Sequence, residues 1–140
     1  MTAFSETLSI RVYYEDTDHG GVVYYANYLK FMERARSEFL RSAGLELDSI
    51  EAEFDVLFAV TEANIRYHKP AVFNDLLNVE SGITRLRGAR ITFRQHIYRQ
   101  QDHTLLTDAD IHLACIDRDG KVSRIPAPIT DRLKNHLNPS

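Results

Sequence analysis

What this 140-residue chain lacks narrows its class before any motif is read. It has one cysteine and no tryptophan. The single Cys115 excludes an intrachain disulfide and any zinc site built from several cysteines, and it fits a reducing compartment. Nothing beside Cys115 would activate a thiol, so its expected place is that of a small buried hydrophobe on a strand. No apolar run approaches the ~20 residues that would span a bilayer, and "MTAFSETLSI" lacks a basic segment followed by an apolar one. The expectation is a cytoplasmic protein with no stable membrane insertion. Formal charge is only -3, which gives no global attraction to nucleic acid or to an anionic surface.

What is present reads as one domain spanning residues 1–140, with 44% hydrophobic and 26% charged residues, an ordinary globular balance. Residues 8–14 alternate as a half-buried strand with Leu8, Ile10, Val12 and Tyr14 inward. After Gly20-Gly21, Tyr28, Phe31, Met32, Ala35, Phe39, Leu40 and Ala43 recur at helical spacing, and Gly44 suits the left-handed position that ends a helix. A long β-prone run, "FDVLFAVTEANIRYHKP", stops at Pro70. Strands follow through Leu77, Val79 and Ile83, then through Ala89, Ile91, Phe93 and Ile97, with a turn at Arg87-Gly88 between them. A turn at 101–103 leads to "TLLTDADIHLACID", "DRDG" signals a hairpin, a short strand occupies 121–125, and "LNPS" reads as a frayed tail. This order predicts an α+β domain with one long helix on an antiparallel sheet of five to six strands. One helix cannot cover so long a sheet, so pairing with a second copy is expected.

The densest chemistry lies in "YYEDTDHGGVVYYANYL", residues 13–29, with three acids, a histidine, a glycine pair and five tyrosines. Gly21 and its neighbour free the backbone there, and amides between Tyr24 and Asn27 open the helix without intrahelical acceptors. Such amides stabilise negative charge developing on a carbonyl oxygen. Asp18 lies in the same turn, with Val22 and Val23 placed to limit water, so it can act as base or nucleophile; a plain helix cap is the competing role. Glu15 and Asp16 read as solvated loop acids and His19 as a loop histidine. No metal is expected, because the acids lack a calcium-loop pattern and no histidines share ligand spacing on the helix. Serine chemistry has no support, since G-x-S-x-G does not occur.

The stretches "RVYYEDTDHGGVVYYANYLKFMERARSEFL", "YHKPAVFNDLL", "GARITFRQHIYRQ" and "IDRDGKVSRIP" together resemble the YbgC-like acyl-CoA thioesterases, relatives of 4-hydroxybenzoyl-CoA thioesterase in the hotdog-fold superfamily. The resemblance runs from about Leu8 to Pro126. It implies a hotdog fold, a homodimer or homotetramer, and hydrolysis of acyl-CoA with no metal or cofactor. It also implies that Asp18 is the catalytic acid, that the Tyr25 backbone amide polarises the carbonyl, and that Tyr14 lies near the active site. Many members carry histidine where this chain has Tyr25, so a side-chain role for that histidine does not transfer, whereas the amide role does.

Residues 84–100 contain Arg85, Arg87, Arg90, Arg94 and Arg99 and no acid. Guanidinium groups suit phosphate oxygens, so Arg85, Arg87 or Arg90 could hold the CoA nucleotide; the alternative is a solvated sheet face. No groove-reading helix or aromatic platform motif supports nucleic acid as the partner. A non-catalytic acyl-CoA-binding or partner-binding module is the rival from another class. A hydratase is disfavoured because it would need a paired aspartate and histidine acting on an enoyl group.

Overall fold

The computed structural model describes residues 6–138. Among them the elements run β1 (Glu6–Arg11), α1 (Asn27–Ser42), α2 (Leu47–Phe54), β2 (Leu57–Tyr67), β3 (Leu76–Arg87), β4 (Arg90–Arg99), β5 (Thr104–Ile116) and α3 (Ala127–Lys134). The strands form one antiparallel sheet in the order β1-β3-β4-β5-β2. The α+β expectation holds, with five strands. No helix among the described residues is long and apolar enough to cross a membrane.

Helix α1 forms where the apolar spacing requires it, burying Tyr28, Phe31, Met32, Ala35, Phe39 and Leu40. These join Leu77, Val79, Ile83, Ile91, Phe93, Ile97 and Ile111 of the sheet in one core, with Phe39 edge-on to Phe93 at 5.3 Å. Gly44, at φ 81°, ends the helix as expected. The Leu45 amide reaches back to the Leu40 carbonyl at 2.8 Å, the six-to-one bond of a left-handed helix stop. Cys115 is buried on β5, as its surroundings suggested.

Several expectations need correction. Strand β1 ends at Arg11, and Tyr14 does not point inward: it opens a 3-10 turn, Tyr14–Asp16, and is 79% exposed. The "LDSIEAEF" segment is helix α2, buried through Ile50 and stopped by Asp55 in the left-handed region. The β-prone run therefore begins later, at Leu57. Residues 121–125 make an isolated bridge at Val122 and scattered hydrogen bonds, among them those of the Lys121, Ser123 and Ile125 amides, and do not form a strand. "IPAPI" starts helix α3, because a proline in the first turn costs no hydrogen bond and Ile129 and Leu133 fall four apart on its buried face. In the expected tail, Leu137 bridges to Ile83 and the Asn138 amide bonds the Ile83 carbonyl at 2.7 Å, while residues 139–140 lie outside the described residues.

One polar group interrupts the apolar face of α1. Arg36 is 9% exposed, and its guanidinium donates to Gln95 Oε1 at 3.0 Å. Gln95, fully buried on β4, donates in turn to the Met32 carbonyl at 3.0 Å and to Ser81 Oγ at 2.9 Å. Burial pulls the Arg36 pKa down, with the Glu33 charge opposing. A buried cation is tolerable only while its acceptor is in place. We expect Gln95→Leu to lower unfolding free energy by about 2–3 kcal/mol, read from urea denaturation. The double variant with Arg36→Met should recover part of that loss; an unchanged midpoint in Gln95→Leu would rule the clasp out as a stabilising contact.

Candidate active site

Apart from the 3-10 turn at Tyr14–Asp16, residues 12–26 do not form regular structure, so their shape comes largely from a second segment that straps them down. The Val12 amide donates to Asp75 O at 2.8 Å, and the Asn74 amide donates to Val12 O at 3.0 Å. Val22 bridges Val72, and the Val23 amide donates to Ala71 O at 2.9 Å. Ala71 is fully buried, and its own amide donates to the Tyr28 hydroxyl at 3.0 Å. The buried Tyr28 phenol is pushed up in pKa chiefly by that burial.

Asp16 is the internal fastener of the turn. It is 9% exposed, contrary to the solvated role expected of it, and its carboxylate accepts from the Tyr13 amide at 2.8 Å and from Asn27 Nδ2 at 2.9 Å. Its carbonyl accepts the Tyr24 amide at 3.0 Å. Glu15 and His19 are exposed, in keeping with loop positions.

Asp18 heads a tight reversal in which its amide donates to Val22 O at 2.9 Å and the Gly21 amide to Asp18 O at 3.1 Å. Gly21 sits at φ 79°, which explains a glycine there. The Gly20 amide holds Asp18 Oδ1 at 2.8 Å, and Oδ2 has no hydrogen bond among the described residues. The side chain is exposed, so Asp18 is anchored on one oxygen and open on the other.

The Tyr25 amide likewise finds no acceptor among the described residues, while amides from Asn27 onward close backward bonds, the first to Tyr24 O at 2.8 Å. Beside it is a shallow cleft of about 250 Å³ walled by Val23, Tyr25, Tyr28, Tyr67, His68 and Pro70. The Tyr25 ring meets Tyr24 at 4.9 Å and Tyr67 at 6.2 Å. Val23 is buried and Val22 half-buried. Asp18 belongs to the adjoining turn and not to the cleft wall, and Tyr14 packs edge-on against Phe73 at 5.7 Å.

Arg85, Arg87 and Arg90 do come together, lining one depression of about 390 Å³ with Thr92 and His112. It is not next to Tyr25. Tyr67 pairs with Thr107 on β5, so His112 lies five residues farther along that strand, about 17 Å away at ~3.4 Å per residue.

Sequence reasoning passed over Tyr67 and His68, which it treated as the end of a strand stopped by Pro70, and Ala71 just beyond it. The alternation that sends Ile65 and Tyr67 to one side of β2 was the available signal. His68 Nε2 meets Asp108 Oδ2 at 2.5 Å, and Arg66 pairs with the other Asp108 oxygen. Asp108 is 7% exposed.

Comparison with known proteins places this geometry in context. The sequence profile described as "Thioesterase superfamily" matches residues 20–106. The acyl-CoA thioester hydrolase YbgC of Escherichia coli O6:H1 is 43% identical over 108 residues, covering 77% of this chain and 79% of that protein. The acyl-CoA thioesterase YbgC of Haemophilus influenzae is 41% identical over 119 residues, 85% of each chain. The crystal structure of Slr0204, a 1,4-dihydroxy-2-naphthoyl-CoA thioesterase from Synechocystis, superposes with a TM-score of 0.85 at 29% identity, covering 93% of this chain and 96% of that one.

The Asp108 cluster beside the cleft makes a prediction about pH. Burial, the largest influence, pushes the Asp108 pKa up, but hydrogen bonds from His68 and Arg66 and the Arg66 charge together bring it below the ordinary value. A depressed carboxyl stabilises the fold above its unfolded pKa, and that contribution is lost as pH falls through the folded value. The stability gap between the native chain and Asp108→Asn should therefore be widest above the ordinary carboxylate pKa, about 4, and shrink as the pH is taken progressively below it. Urea denaturation across that range measures it, and a gap independent of pH would refute the assignment.

Proposed function

This chain belongs to the Thioesterase superfamily, and from that premise we propose that it hydrolyses the thioester bond of an acyl-CoA to a free acid and CoA. The observation that carries the reading is an amide without an acceptor among the described residues, at Tyr25, beside an open cleft and one tight turn from a carboxylate, that of Asp18, with one oxygen likewise unbonded among them. The same hotdog arrangement of helix and sheet supports it.

The chemistry follows from those two groups. The acyl carbonyl enters the cleft with its oxygen toward the Tyr25 N–H. As a nucleophile adds to the carbonyl carbon, charge gathers on that oxygen, and a donor already oriented toward it lowers the barrier without reorganising. Asp18 supplies the nucleophile, either by removing a proton from water or by attacking directly to give an acyl-aspartyl anhydride that water then opens. Collapse of the tetrahedral species expels CoA thiolate. Gly21 gives the turn its shape, Val22 and Val23 limit water on one side, and Tyr14 with Phe73 forms an aromatic flank.

Arg85, Arg87 and Arg90 suit the phosphates of CoA. An extended CoA carries its phosphates far from its thioester, so a handle well removed from Tyr25 fits the nucleotide end. We read β2 as the seam of a homodimer, with a homotetramer as a further pairing. It is an 11-residue edge strand with Leu57, Val60 and Tyr67 exposed, the kind of edge that invites a second chain. A reducing cytoplasm suits a single buried thiol.

Thiol release from a panel of acyl-CoA esters tests the activity, and Asp18→Asn tests the site. Asp18→Asn should lose at least about 100-fold in turnover while its melting temperature and its affinity for CoA stay unchanged. Ordinary turnover by that variant would overturn the assignment, and a native protein that binds acyl-CoA yet liberates no thiol would be a binding module. Labelled oxygen from water found in the Asp18 carboxylate after one turnover identifies direct attack, with water opening the anhydride at the aspartyl carbon; label confined to the product fits water activation and also an anhydride opened at the acyl carbon.

A further inference from the structure

The mechanism asks one peptide N–H to keep its direction, and it lies where no helical bond fixes it. That direction depends on two torsions, ψ of Tyr24 and φ of Tyr25. Anchors stand on both sides of them. The Tyr24 amide donates to Asp16 O at 3.0 Å. The Tyr25 carbonyl accepts from the Tyr67 hydroxyl at 3.2 Å and from the Tyr28 amide at 3.3 Å. The Tyr67 ring lies edge-on to Tyr25 at 6.2 Å and tilted against Tyr28 at 5.4 Å. Tyr28 is itself fixed, buried and bonded to the Ala71 amide.

We propose that Tyr67, the last residue of β2, is a positioning residue for the reaction: its hydroxyl holds the Tyr25 carbonyl from the sheet edge and so keeps the Tyr25 N–H aimed into the cleft. The sheet side of the site thereby sets the direction of a donor that belongs to the helix side. A hydrogen bond weakens steeply once its angle falls below about 120°, so a rotation of the peptide unit that turns the N–H away from the carbonyl oxygen costs oxyanion stabilisation while leaving the cleft walls in place. The inference rests on the assignment of Asp18 and the Tyr25 amide above.

Tyr67→Phe removes the hydroxyl and keeps the ring against Tyr25 and Tyr28. Its kcat should fall by about three- to tenfold, the range of a single neutral hydrogen bond. KM, affinity for an unreactive CoA thioether and melting temperature should match the native protein, and the pH–rate profile should keep its shape because Asp18 is untouched. An unchanged kcat, a loss confined to KM, or a lower kcat explained by partial unfolding would each overturn the role. Asp18→Asn assayed alongside separates the two levels. If that variant stays active, the underlying assignment falls; if it is inactive while Tyr67→Phe turns over at the native kcat, only the role of Tyr67 falls.

Discussion

The site depends on the backbone of one small residue. Ala71 has no side chain beyond a methyl and is fully buried, yet its carbonyl accepts the Val23 amide and its amide donates to the Tyr28 hydroxyl. A larger side chain would have to displace the packing around it, since buried interiors leave little spare volume. Through those two bonds the segment after β2 grips both the turn before α1 and the first buried ring of α1. Without this strap, residues 17–26 would keep the bonds within their own turn, those to Asp16 and the one from Tyr67, and a loop held at fewer points keeps more of its conformational entropy.

Within the strapped turn, the two glycines are not equivalent. Gly21 has φ 79°, a conformation that strains any residue with a Cβ. Gly20 is under no such constraint: an added Cβ would meet Asp18 Oδ1 at 3.4 Å, an ordinary contact. Its contribution is the amide that holds that oxygen. The turn therefore combines one conformational requirement with one hydrogen bond, and both act on Asp18. Asp18 Oδ2 and the Tyr25 amide have no hydrogen-bond partner among the described residues, which costs little where solvent reaches them, since the expensive case is an unmet group that is also buried.

Periodic segments were legible from the sequence, and segments governed by distant partners were not. The spacing of Phe31, Met32, Ala35 and Phe39 identified α1, and Gly44 its end, because both are local properties of the chain. The alternation of Leu77, Val79 and Ile83 and of Ile91, Phe93 and Ile97 located β3 and β4 for the same reason. Tyr14 was misplaced because the alternation of β1 runs past Arg11 on paper, whereas Asp16 closes a turn across it. Helices α2 and α3 were missed for separate reasons: Phe54 was absorbed into the following β-prone run, and Pro126 and Pro128 were read as stops when they begin a helix. The candidate site was half visible. Asp18, Gly21 and Tyr25 stand together in one motif, while Ala71, Tyr67 and His68 lie more than 40 positions away in a stretch whose local pattern says only that a strand ends.

The buried polar clasp and the proposed site are kept apart in this chain. The buried clasp of Arg36 with Gln95 and Ser81 joins α1 to the middle of the sheet, where an unmet charge would be most costly and the packing is fixed. The Tyr25 amide and Asp18 stand at the opposite condition, at one end of the helix and near an edge strand, where groups can remain unpaired. Gln95 also accepts from Arg36 while donating to the Met32 carbonyl, so helix position along β4 is specified by polar geometry and not by apolar contact alone. Fixing that register fixes where the helix begins relative to β2, and Tyr67 can meet the Tyr25 carbonyl only if it does. A central polar clasp and a peripheral pair of groups without hydrogen-bond partners among the described residues are thus parts of one arrangement, in which the rigid middle sets the place of the end that carries the proposed site.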